Sequence, residues 1–101
     1  LVEDGKVVFV DVTADWCITC KFNKLRVTNP MLPFFEERGV VLMKADYTKP
    51  SKKINQYLED NGVYAIPFNI VYGPAKPNGI RLSEILDKGS VRKAVYDAEG
   101  N

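Results

Sequence analysis

Val10-Asp11-Val12-Thr13-Ala14-Asp15-Trp16-Cys17-Ile18-Thr19-Cys20-Lys21 joins an apolar run to a pair of thiols. The run starts at Val7, after Gly5 and Lys6, and its β-branched character predicts a strand buried on both faces. Thr13-Ala14-Asp15 turns the chain, and a helix is expected from near Cys17 to about Val27. Residues i and i+3 share a helix face, so the two sulfurs can close a disulfide with little movement. Cys17 and Cys20 are the only cysteines. Three readings are open: a redox pair, a structural bridge and half of a metal site. A bridge over so short a loop is worth only about 2 kcal/mol, against about 3 for fifteen residues. Zinc takes three or four protein ligands, and the chain has no His. The two-residue spacing beside alternating strands and helices favours the redox pair.

The bulk numbers narrow the classes. A chain of 101 residues is one domain, and 46 % hydrophobic content supplies one core. A net charge of +1, from 14 basic and 13 acidic residues, argues against nucleic acid or an anionic membrane surface as partner. No stretch reaches the roughly 18 apolar residues of a membrane span, and no signal peptide is read. Leu1 to Asp4 reads as the end of a helix, which suggests a fragment of a larger protein.

Further along, Ile18, Phe22 and Leu25 follow helical spacing and are taken as the apolar stripe of the first helix. Asn29 and Pro30 are expected to open a second helical piece from Met31 to Arg38. Val40 to Asp46 predicts a second buried strand. Ser51 to Asp60 predicts a helix with Ile54, Tyr57 and Leu58 inward. Pro67 precedes a third strand, Phe68 to Tyr72. Gly73 to Gly79 reads as a turn-rich connection to a short strand at Ile80 to Leu82. Ser90 is expected to cap a last helix with Val91, Ala94, Val95 and Ala98 inward. The order β-α-β-α-β-β-α predicts an α/β sheet covered on both faces, its first connections parallel crossovers and its last pair a hairpin.

The stretch from Val10 to Lys21 resembles the active-site segment of a thioredoxin-fold protein. Its Ala-Asp-Trp-Cys-x-Thr-Cys-Lys form resembles the C-terminal periplasmic domain of DsbD-type transmembrane thiol:disulfide interchange proteins and of the related copper-sensitivity-suppressor (ScsB-type) proteins. Lys44-Ala45-Asp46-Tyr47-Thr48 resembles a segment of that group, and Gly62 to Pro67 resembles the loop before the cis-proline of thioredoxin folds. The resemblance implies a central mixed sheet flanked by helices, with the N-terminal strand and most of the first helix missing. It implies a dithiol reductase that needs no cofactor beyond its own disulfide. Electrons would come from a transmembrane donor domain and pass to periplasmic acceptor proteins. The protein would be a periplasmic domain of an inner-membrane protein, soluble and monomeric when isolated.

The resemblance also carries residue roles. Cys17, at a helix N-terminus, is the expected nucleophile, and Cys20, deeper in, the resolving thiol. Asp11 matches the buried aspartate of thioredoxins and is expected to relay a proton to or from Cys20; the plainer reading is a strand-end Asp bonded to a loop N–H. Pro67 is the expected cis-proline and Ile66 the backbone that pairs with an incoming chain; an ordinary trans-proline at a strand start is the alternative. Trp16 is either part of a flat docking surface or a core tryptophan. Lys21 either assists Cys17 or is merely solvated, and Asp15 is a candidate helix cap. Lys24 departs from the family pattern, which often has an acidic residue there, and is expected to favour the Cys17 thiolate. Ile18-Thr19 holds no cation between the thiols, which points to a reductant rather than a strong oxidant. Three other functions stay open: a free-standing thioredoxin, a copper-binding module on the same fold, and a non-catalytic docking domain.

Overall fold

In the computed structural model, residues 5–100 are described, so the proposed helix end at Leu1 to Asp4 lies outside the described residues. Strand β1 (Val8–Thr13) is central. It pairs parallel with β2 (Val41–Asp46) and antiparallel with β3 (Phe68–Gly73), which pairs antiparallel with β4 (Lys76–Arg81). The sheet order is β2-β1-β3-β4. Only the first connection is therefore a parallel crossover. The second, through α3 (Lys52–Asp60), carries the chain past β1 and brings β3 back antiparallel. The sheet is mixed.

Period-two alternation assigns the two faces. Val7 and Phe9 join Val71, Phe35, Val91, Ala94, Val95 and Ala98 in a core beneath α2 (Leu32–Glu37) and α4 (Lys88–Glu99). Val12, Phe68 and Ile70 point the other way and pack with Leu58 of α3. Gly73 lets β3 approach α4: a Cβ there would come closer than 3.0 Å to the Ala98 backbone. β2 stands at the edge of the sheet rather than inside it. Met43, inside this strand, is accordingly exposed, whereas Met31 is buried.

The helix after the thiols is rotated from the expected stripe. α1 (Ile18–Asn23) runs into a π-helical stretch, Lys24–Thr28, closed by Asn29 N–H donating to the Lys24 carbonyl at 2.8 Å. Cys20, Asn23 and Val27 take the inner face. Ile18 and Leu25 are 83 % and 70 % exposed, and Phe22 is exposed too. Both cysteines are turned inward on this face, and Ile18, Phe22 and Leu25 lie outside. Asn29 ends the π-helical stretch instead of capping α2, whose N-cap is Met31 and whose first turn holds Pro33. β4 starts at Lys76, earlier than expected, so the link from β3 is a tight turn. α4 is capped by Asp87, which accepts from Ser90 N–H at 2.8 Å. Ser90 sits in the first turn and returns its hydroxyl to the same carboxylate at 2.8 Å.

Candidate redox site

Cys17 and Cys20 are joined in a disulfide, their Cα atoms 5.2 Å apart. Cys17 is the N-cap of α1, and its Sγ accepts the Cys20 backbone N–H at 3.1 Å. One sulfur thus receives a donor that at most helix starts a serine or aspartate oxygen would take. Asp15 has no capping role; its own N–H donates to Thr48 Oγ1 at 2.9 Å. Both cysteines are 5 % exposed, so Cys20 is no deeper than Cys17 in this oxidised state. They differ in what they face. Cys17 lies between the exposed side chains of Trp16 and Ile18. Cys20 lines a cavity of about 230 Å³.

That cavity places Asp11 beside the disulfide. Its walls include Asp11, Cys20, Lys21, Lys24, Lys44 and Asp46. Asp11 is half-buried in the middle of β1, so it is not a strand-end residue, and Lys44 is its direct partner on β2. Burial pushes its carboxyl above the ordinary carboxylate range, while the ammonium groups of Lys44 and Lys24 pull it partly back. Lys24 sits against Lys44 and lowers the Lys44 ammonium below its usual value, with desolvation adding to the effect. Lys24 therefore acts at the Asp11 side of the site. In the window between the ordinary value, 3.8, and the raised one, the folded chain binds more protons than the unfolded chain. Stability then falls as pH rises through that window, and an ionised Asp11 is a net cost above it. Asp11→Asn is expected to be more stable than the parent at pH 7, with the difference closing below about pH 3.8, as read by chemical denaturation at both pH values.

The loop around the thiols is held from β2. Trp16 Nε1 donates to the Thr48 carbonyl at 3.1 Å, and the Thr48 hydroxyl and N–H donate to Asp46 Oδ1 at 2.5 and 2.9 Å. These bonds hold the Asp46 carboxyl below its ordinary range. Trp16 is 60 % exposed and lines a groove of about 200 Å³ with Ile66, Tyr64 and Val63. It is a surface residue, not a core one. The Ile66–Pro67 peptide bond is cis, and Ile66 packs against Ala14 and the two cysteines. On the other flank Asn23 fastens the loop before α4, donating to the Glu84 carbonyl at 2.7 Å and accepting from Leu86 N–H at 3.0 Å.

Asp46, Thr48, Lys44 and Asn23 received no site role from sequence reasoning. The signal for the first three lay in the Lys44 to Thr48 segment already singled out by resemblance. Asn23 stood unremarked among apolar neighbours. The described residues contain no group of three or more His, Cys, Asp or Glu able to hold a metal, and no helix long and apolar enough to cross a membrane.

A mixed four-stranded sheet, a disulfide at the first helix entry and a cis-proline beside it define the class of thioredoxin-fold thiol–disulfide proteins. Residues 1–74 match the family model described as thioredoxin-like, and the chain belongs to that family. It is 34 % identical over 87 residues, 82 % of its length, to the thiol:disulfide interchange protein DsbD of Cronobacter sakazakii. It is also 34 % identical over 72 residues, 70 % of its length, to mitochondrial thioredoxin-2 of Schizosaccharomyces pombe. It spans only 15 % of the first relative and 48 % of the second. Among solved structures, a mutant thioredoxin from Halobacterium salinarum superposes with TM-score 0.69 at 16 % identity, covering 95 % of this chain and 77 % of that one. The oxidised DsbD C-terminal domain of Neisseria meningitidis gives TM-score 0.69 at 23 % identity, covering 92 % and 80 %. The protein is thioredoxin-like by family.

Proposed function

We propose that this chain is a single dithiol reductase domain of a larger membrane-tethered relay, placed in the periplasm. In this reading a transmembrane donor reduces it, and it reduces periplasmic acceptor proteins. The observation that carries the chemistry is the pairing of roles across the disulfide: Cys17 Sγ takes a backbone N–H, while Cys20 opens on the Asp11 cavity. The Cys17 thiolate attacks an acceptor disulfide and forms a mixed disulfide, expelling one acceptor sulfur as thiolate. Cys20 loses its proton to Asp11 and attacks Cys17 Sγ. The Cys17–Cys20 disulfide closes, the second acceptor sulfur leaves as thiolate, and two electrons have passed to the acceptor. Trp16, Ile66 and Pro67 form the docking surface, with the Ile66 backbone pairing to the incoming chain.

The relay assignment is supported by the Ala14 to Lys21 and Lys44 to Thr48 segments and by the identity to DsbD. The comparable identity to a mitochondrial thioredoxin favours a second reading, a free-standing thioredoxin with the same chemistry. The test common to both is the equilibrium reduction potential of the pair. The expected value is near that of thioredoxin, on the order of −270 mV, because neither residue between the thiols is cationic. A value near about −120 mV would make the domain an oxidant and overturn the direction of flow.

A further inference from the structure

Asn69 is 1 % exposed, and neither its Nδ2 nor its Oδ1 has a hydrogen-bond partner among the described residues. Its backbone is in ordinary use, with the carbonyl accepting from Leu82 N–H at 3.0 Å. A buried amide is normally paired, because removing it from water without compensation is unfavourable. Its neighbours Phe68, Ile70 and Val71 are apolar and buried, so packing alone does not call for an asparagine. Asn69 stands directly opposite Asp11 in the antiparallel ladder of β1 and β3. Residues so paired project from the same face of the sheet. Lys44, Asp11 and Asn69 thus form a polar row across three strands. The charged groups that face Asp11 are Lys44 from β2, Lys24 from the π-helical stretch, Lys21 from α1, and Asp15 and Asp46 at the rim, with Cys20 beside them. All of them line the open cavity; Asn69 is buried and does not.

We propose that Asn69 is a positioning residue for the proton step: its amide meets the Asp11 carboxyl group from the neighbouring strand β3 and sets the pH at which Asp11 exchanges a proton with Cys20. This rests on the role given to Asp11 above. Paired Cβ atoms lie about 5 Å apart, a gap that a rotation of the amide or one bridging water spans. The amide carries N–H donors for the carboxylate and a carbonyl acceptor for the acid O–H, so it serves both protonation states. Donors directed at a buried anion favour the ionised form, and losing them favours the acid.

The test uses the 101-residue chain with Asn69→Leu, near in size but without donor or acceptor. The Asp11 midpoint, followed by carboxyl carbon NMR, is expected to rise by about one pH unit. The matching inflection in the pH–rate profile of disulfide exchange moves with it, and in an Asp11→Asn background Asn69→Leu moves no inflection. Asn69→Val carries the same comparison if leucine overfills the site. A purely structural asparagine would alter the thermal midpoint and leave the inflection in place, which overturns the proposal. If Asp11→Asn removes the inflection but neither Asn69 variant moves it, the Asp11 role stands and the Asn69 proposal falls. If Asp11→Asn leaves the profile unchanged, the Asp11 role fails first and takes the Asn69 proposal with it.

Discussion

Cys17→Ser is expected to abolish thiol–disulfide exchange, with a rate loss on the order of 10³-fold or more, while leaving the domain folded. The argument is chemical before it is structural. Exchange requires a thiolate at working pH, and a serine hydroxyl neither ionises there nor attacks sulfur usefully. The geometry adds that Cys17 Sγ is the sulfur that accepts a helix-entry N–H, so the charge that must form is best supported there. The fold does not depend on the bond. Closing so short a loop is worth about 2 kcal/mol at most, whereas the core beneath α4 buries Phe9, Val71, Val91 and Val95 completely. Circular dichroism and a denaturation curve will show whether the variant is native, and reduction of a protein disulfide will show its activity. Retained activity in a folded Cys17→Ser chain would turn the domain into a docking module and end the enzymatic reading.

The parts legible in the sequence were those where one residue type has one physical use. Two thiols at this spacing, a strand rich in β-branched residues and a helix with Val91, Ala94, Val95 and Ala98 on one face all led to the elements observed. The parts that misled were those where a periodicity has two solutions. Ile18, Phe22 and Leu25 make a correct helical stripe, but Cys20, Asn23 and Val27 make another, and it is the second that turns inward. Val40 to Asp46 reads as a buried strand because hydropathy does not reveal a strand's place in the sheet order, and β2 stands at the edge. Ser90 and Asp87 both suit a helix start, and only backbone geometry shows that Asp87 receives the N–H. For the site, Asp11 was visible as a carboxylate in an apolar run. Asn69 was equally odd in its own strand, yet its meaning needed the register that sets it opposite Asp11.

Cys20→Ser, by contrast with the first variant, is expected to keep the attack and lose the release. The Cys17 thiolate remains at the mouth of α1 beside Trp16 and Ile18, so it still opens an acceptor disulfide and releases one acceptor thiol. Without the second sulfur nothing in the site resolves the mixed disulfide. Serine at that position leaves a hydroxyl facing the Asp11 cavity, and an alcohol does not displace sulfur from sulfur. The kinetic signature is a burst of one acceptor thiol per domain followed by a turnover lower by on the order of 10³-fold or more. The chemical signature is a covalent adduct that survives denaturation without reductant and is freed by dithiothreitol. Because proton transfer from Cys20 belongs to the lost resolving step, the burst phase is expected to show no inflection from Asp11. An adduct formed through Cys20 in Cys17→Ser, together with none in Cys20→Ser, would reverse the two roles. The N–H at Cys17 Sγ and the opening of Cys20 onto a carboxylate both weigh against that outcome.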